Sequence, residues 1–135
     1  MNRQRTAVTA IMAFSAAAPM TAEASSSYSM RKKVITAAGI MTAESDDSRL
    51  VTRAQFAEML VKASSYRENL PTSNVSVYAD VPATDPNAVY IRIAAREGWM
   101  SGYLGGKFKP EDPVLYKDAV KAILTMLGYT DDDFT

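Results

Sequence analysis

The chain has no cysteine and no histidine. The first absence excludes disulfides, thiol nucleophiles and thiolate zinc sites. The second removes imidazole as a metal ligand or as an acid–base catalyst near neutral pH. Stability must come from packing alone. Excess charge of one sign is missing too: 15 Lys and Arg balance 15 Asp and Glu. Without a basic stripe, nucleic acid is a poor partner. No apolar run is long enough to span a bilayer. What is present is an ordinary globular composition, 47% hydrophobic over 135 residues. That is enough for one compact unit, or for two small repeats sharing a core.

The N-terminus has a secretory pattern. Arg3 and Arg5 precede an uncharged apolar stretch from Ala7 to Ala18, Pro19 breaks it, and Ala22-Glu23-Ala24 offers small residues where a signal peptidase reads. A signal peptide over 1–24 is expected, leaving a mature chain that begins at Ser25 and has no membrane association after cleavage.

Four helical segments follow. The first is expected from Met30 to Ala38, ending at Gly39. The second opens at Thr52, an N-cap with Gln55 three residues on to complete a capping box. Phe56, Met59, Leu60 and Ala63 then recur at i, i+3, i+4 and i+7, with Glu58 and Lys62 paired on the other side. After a polar linker with Pro71, Asp85-Pro86 reads as the N-cap and first position of a third helix carrying Tyr90, Ile91, Ile93, Ala94 and Ala95 and ending at Gly98. Residues 99–113 are turn-rich. The fourth helix spans Tyr116 to Leu127, with Val120, Ile123, Leu124 and Leu127 on one stripe, and Gly128 closes it.

The order helix, Gly, apolar pair, loop, helix therefore occurs twice. Gly39-Ile40-Met41 corresponds to Gly98-Trp99-Met100, and Thr52-Arg53-Ala54-Gln55 to Leu115-Tyr116-Lys117-Asp118. Units of this size generally bury their apolar faces against one another.

Three segments resemble the S-layer homology (SLH) family. Tyr78-Ala79-Asp80-Val81 resembles the aromatic-x-Asp-Val opening of an SLH repeat. The stretch from Gly98 through Gly102-Tyr103, Gly106 and Phe108 to Pro110 resembles its central loop, and Val51-Thr52-Arg53-Ala54-Gln55 resembles the signature that opens its second helix. The resemblance implies an all-α fold of helix–loop–helix SLH repeats packed on a shared core. It divides the chain into a partial repeat (30–66), a linker (67–77), a full repeat (78–129) and a C-terminal tail (130–135) of what reads as a truncated array. It also implies non-covalent anchoring of an exported protein to a Gram-positive-type bacterial cell wall, through an anionic, pyruvylated secondary cell-wall polysaccharide. There are departures: residues 42–50 contain no glycine, Asn87 stands where a Trp is usual, Gly105 where Asp is common, and Tyr116 where Arg is expected.

The candidate polysaccharide-binding residues are Arg53, Thr52, Trp99, Gly102, Tyr103 and Lys107. A guanidinium fork suits a carboxylate, and Arg53 lies in a first helical turn, where open backbone N–H groups favour an anion. It is expected to face outward; the alternative is an internal pair with Asp46 or Asp47. Trp99 and Tyr103 offer flat rings to sugar faces, although Trp99 equally fits as a plug between helices. Gly102 suits tight backbone geometry or close ligand approach. Lys107 adds long-range attraction. Asp80 fits a helix brace better than a ligand contact. The Asp46-Asp47 and Asp131-Asp132-Asp133 runs lack the alternating ligands of a calcium loop. No cofactor, metal or catalytic residue is expected, because paired carboxylates such as Glu97 and Asp118 have no spacing that aims them at one site. Two alternatives remain: an SLH-like self-association module without polymer binding, and a non-catalytic fragment of a larger wall-active enzyme.

Overall fold

Three helices of this chain stop at the same device. Gly39, Gly98 and Gly128 take left-handed backbone, with φ of 70°, 72° and 86°. Each glycine N–H donates to a carbonyl one turn back, and the next residue reaches further: Ile40 to Ile35, Trp99 to Ala94, Tyr129 to Leu124. This bond pair closes carbonyls that a helix end leaves open, and the left-handed position favours glycine. All three expected stops are met.

The computed structural model describes residues 22–42, 48–73 and 75–134. The chain divides into two compact units, 1–46 and 47–135. Among the described residues all regular structure is helical, so the all-α expectation holds.

The first unit contains α1, Ala22–Ala37. This helix begins eight residues before the expected Met30. The serines at 25–27 suit a chain start, but serine costs a helix only about half a kcal/mol relative to alanine. Ser27 also accepts a hydrogen bond from Arg31 Nη1 one turn on, at 3.1 Å. The expected signal peptide lies outside the described residues except for its last three positions.

The second unit opens with α2, Arg53–Ala63. Its capping box is complete: Gln55 N–H donates to Thr52 Oγ1 at 3.2 Å, and Thr52 N–H to Gln55 Oε1 at 3.0 Å. Glu58 and Lys62 pair at 2.6 Å. The buried face includes Phe56 and Leu60 as expected, but it is broadened by Ala54, Ala57 and Val61, while Met59 and Ala63 are only half-buried. Polar Ser64 is also buried. Its hydroxyl donates to Val61 O and accepts from Tyr66 N–H, which turns the chain into a short 3-10 helix, Ser65–Glu68.

α3 spans Ala88–Arg96, opening later than the Asp85-Pro86 signal suggested. Asp85 accepts Asn87 N–H on its carboxylate and Ala88 N–H on its carbonyl, so it makes a separate turn before the helix. α4 spans Tyr116–Met126. α2 packs chiefly against α3 and more lightly against α4. Ile91, Ile93 and Ala94 bury as expected, but the buried seam of α4 is Ala122, Met126 and Leu127. Val120, expected inside, is exposed, and Ile123 and Leu124 are half-buried. Light packing leaves part of that apolar stripe uncovered.

Candidate functional site

The loop between α3 and α4 is held from two sides. On one side stands the Tyr78-Ala79-Asp80-Val81 segment. Asp80 accepts the N–H groups of Phe108 and Lys109, both at 2.8 Å. Burial pushes the Asp80 carboxyl upward, but those two amides, its own backbone N–H and the charge of Lys107 outweigh it and hold the pKa below the ordinary carboxylate range. Asp80 thus braces the loop rather than a helix. Tyr78 packs on the Phe108 ring, centroids 5.2 Å apart, and Val81 and Phe108 are fully buried. Lys109, in left-handed backbone at φ 56°, is fixed there by its bond to Asp80.

Gly102 is where Tyr78 meets the loop. A Cβ on Gly102 would fall 2.3 Å from the Tyr78 ring and 2.9 Å from the Lys107 carbonyl. Glycine is required here by packing within the protein.

On the other side stands the start of α2. Arg53 N–H donates to Asp112 O and Ala54 N–H to Pro110 O, and Val114 N–H donates to Val51 O. With Gln55 bonded to the Thr52 hydroxyl, the first-turn amides of α2 are all taken. An anion therefore finds no open donors on that helix end, contrary to the argument from sequence.

The Arg53 side chain continues the same brace. It is only 4% exposed. Nε donates to Phe108 O at 2.9 Å and Nη2 to Ser101 O at 2.6 Å. Its guanidinium carbon lies 4.8 Å from the Tyr103 ring centre and 4.6 Å from that of Phe108, within cation–π range. The guanidinium thus faces inward, toward carbonyls and rings, and not outward as expected. Asp46 and Asp47, its alternative partners, lie outside the described residues; no ion pair to Arg53 occurs among the described ones.

Among the described residues two hollows stand out. The larger, about 400 Å³, lies between Pro71, Thr72, Ser73 and Val75 and the approach to α3, and no basic or aromatic side chain lines it. The smaller, about 280 Å³, is lined by Arg53, the loop residues Gly98 to Tyr103, and Asp118 and Lys121 of α4. The second has the chemistry of a binding site. It brings together two cations, one carboxylate, the chain's one tryptophan and a half-exposed tyrosine. Ser101 and Gly102 in its wall have N–H groups without an acceptor among the described residues.

Four of the six sequence candidates, Arg53, Trp99, Gly102 and Tyr103, meet at this hollow. Trp99 is 7% exposed and takes the Tyr66 ring edge-on at 6.1 Å. Tyr103 is 42% exposed, with Lys109 Nζ 4.5 Å over its ring. Thr52 and Lys107 do not line the hollow; Thr52 caps α2, and Lys107 O accepts Tyr103 N–H across the hairpin. Asp118 and Lys121 were missed. Their spacing on α4 is visible in sequence, but nothing local says that this face turns toward the loop.

Residues 77–120 match the family model of the S-layer homology domain. The chain carries an S-layer homology domain. It is also 33% identical over 93 residues to the middle cell wall protein of Brevibacillus brevis, covering 68% of this chain and 9% of that protein. Over 82 residues it is 33% identical to the surface layer protein of Brevibacillus choshinensis, covering 60% of this chain and 7% of that protein. The chain thus spans less than a tenth of the length of these relatives. No solved structure matches. S-layer homology domains are in general non-catalytic, wall-anchoring modules, so the match supports cell-wall anchoring as a general role.

Proposed function

We propose that this chain is an exported, non-enzymatic anchor at the bacterial cell wall or S-layer. It holds to the wall by binding an acidic, pyruvylated secondary polysaccharide in the hollow between α2, the 98–110 loop and α4. The observation that carries this reading is the hollow itself, a recess in which the Gly98–Tyr103 loop, inside the matched residues 77–120, meets Arg53 and Lys121. Arg53 gives it a fixed positive floor, Trp99 and Tyr103 give it rings for sugar faces, and Gly102 gives it a tightly folded wall. Thr52 acts through α2, and Lys107 through long-range attraction. The proposed organisation is a signal peptide (1–24), a partial repeat (30–66), a linker (67–77), a full repeat (78–129) and a tail (130–135). Among the described residues no helix is long and apolar enough to cross a membrane.

The test is sedimentation with purified sacculi at low salt. The chain is expected in the pellet, and in the supernatant once the acidic polymer is stripped. A chain that stays soluble with intact sacculi refutes the proposal.

A second reading, self-association between S-layer homology units, is favoured by the bare start of α4, where Leu115, Tyr116 and Val120 are exposed. Light scattering tests it: a concentration-dependent dimer or trimer is expected, and a monomer throughout the micromolar range excludes it.

A further inference from the structure

Both cations of the hollow are basic, but their situations differ. Arg53 is buried, and two of its three nitrogens are bonded to main-chain oxygens of the loop. Its planar face is occupied by Tyr103 and Phe108. Rotating that fork toward a ligand would strip two carbonyls of their donor, the buried Phe108 O and the part-buried Ser101 O. Lys121 is exposed, sits on the rim from α4, and has no carboxylate within ion-pairing reach among the described residues. Asp118, one turn earlier on the same helix, lines the hollow without pairing to it. An ammonium on a four-carbon stem can follow a carboxylate into the recess, which a clamped guanidinium cannot do.

We infer that Lys121 is the residue that pairs directly with the acidic group of the ligand, and that Arg53 is a positioning residue that shapes the loop. This rests on the reading of the hollow as the polymer site. Asp118 then stands as the acceptor for sugar hydroxyl or amide donors. Discrimination between acidic and neutral sugars resides in Lys121, on α4 of the full repeat, and not in the arginine of the preceding helix.

The test uses the whole chain and one probe in two forms: secondary polysaccharide released from sacculi, with its pyruvate ketals intact or removed by mild acid. The wild type is expected to prefer the ketal form, with affinity falling as salt rises. Lys121→Gln is expected to lower affinity for that form about tenfold, the scale of one charge-assisted contact. It should flatten the salt dependence, equalise the two forms and leave the denaturation midpoint unchanged, and Lys121→Arg should restore the preference. Arg53→Lys is expected to lower the denaturation midpoint and weaken binding while keeping the preference for ketals. A Lys121→Gln chain that binds with wild-type affinity and salt dependence overturns the inference and leaves the anchor reading standing. Equal wild-type binding of the two forms also overturns it. A wild type that binds neither form defeats both.

Discussion

The starts of α2 and α4, which the sequence pattern sets in correspondence, have opposite fates. At α2, Thr52 caps, Arg53 is buried, and loop carbonyls take the first amides. At α4, Leu115 offers no side-chain cap, Tyr116 is 86% exposed, and no acceptor for the N–H groups of residues 116–118 occurs among the described residues. The two starts run side by side, joined by the Thr52–Pro113 bridge. The difference teaches what the Thr-Arg signature does in this chain. It ties α2 to the loop between α3 and α4 and so builds the wall of the hollow. Where the signature is replaced, the helix still forms, but its first-turn side chains tie no loop.

The largest expected effect comes from breaking that tie. Arg53→Ala leaves Ser101 O and Phe108 O without donors and removes the charge between two rings. A loss of about 3 kcal/mol in urea denaturation is expected, the scale for deleting buried hydrogen bonds from a charged group. Tyr116→Ala, at the matching position, should change stability by less than about 0.5 kcal/mol, as exposed substitutions do. Comparable losses at the two sites would erase the contrast.

Gly102→Ala follows, at about 2 kcal/mol, because its Cβ collides with the Tyr78 ring and with a backbone oxygen that cannot withdraw. Circular dichroism melting checks it, and an unchanged midpoint would mean that Tyr78 swings away freely.

The pH response isolates Asp80. Its folded pKa is depressed, so its contribution to stability is present above the ordinary carboxylate pKa and is lost as pH falls through the lowered folded value. The wild type should lose stability through the acid range. Asp80→Asn should show a flatter acid limb, and identical limbs would remove the brace from the account.

The smallest effect mends the poorer helix. Leu115→Ser supplies the missing N-cap and should add about 0.5–1 kcal/mol, while Thr52→Ala should remove about 1 kcal/mol. If Leu115→Ser does not stabilise, lack of a cap is not what sets α4 apart.

Much of the fold was legible because it rests on local chemistry. Glycine at the left-handed position of a helix end and Thr52 with Gln55 at a helix start each leave a signal within six residues. The tilt of α4 left no such signal. Of its expected stripe, Val120, Ile123, Leu124 and Leu127, Leu127 is buried, but Ala122 and Met126 join it in place of the other three. The site shows the same division. Arg53 stands out in the sequence as a candidate ligand contact, but its direction was not readable. Its partners are carbonyls 48 and 55 positions away, and a carbonyl has no letter in the sequence. Lys121 was overlooked for a related reason, since an exposed helical lysine stands out only once a recess is known to open beside it.

Uptake of the acidic wall polymer by the Arg53-braced hollow can be watched at the hollow itself. Trp99 is the chain's single tryptophan and lines that hollow, so its fluorescence reports on the site directly. Titrating the wild-type chain with ketal-bearing polysaccharide should shift the emission saturably. Emission that stays constant while the chain pellets with sacculi would place binding elsewhere on the molecule and contradict the account.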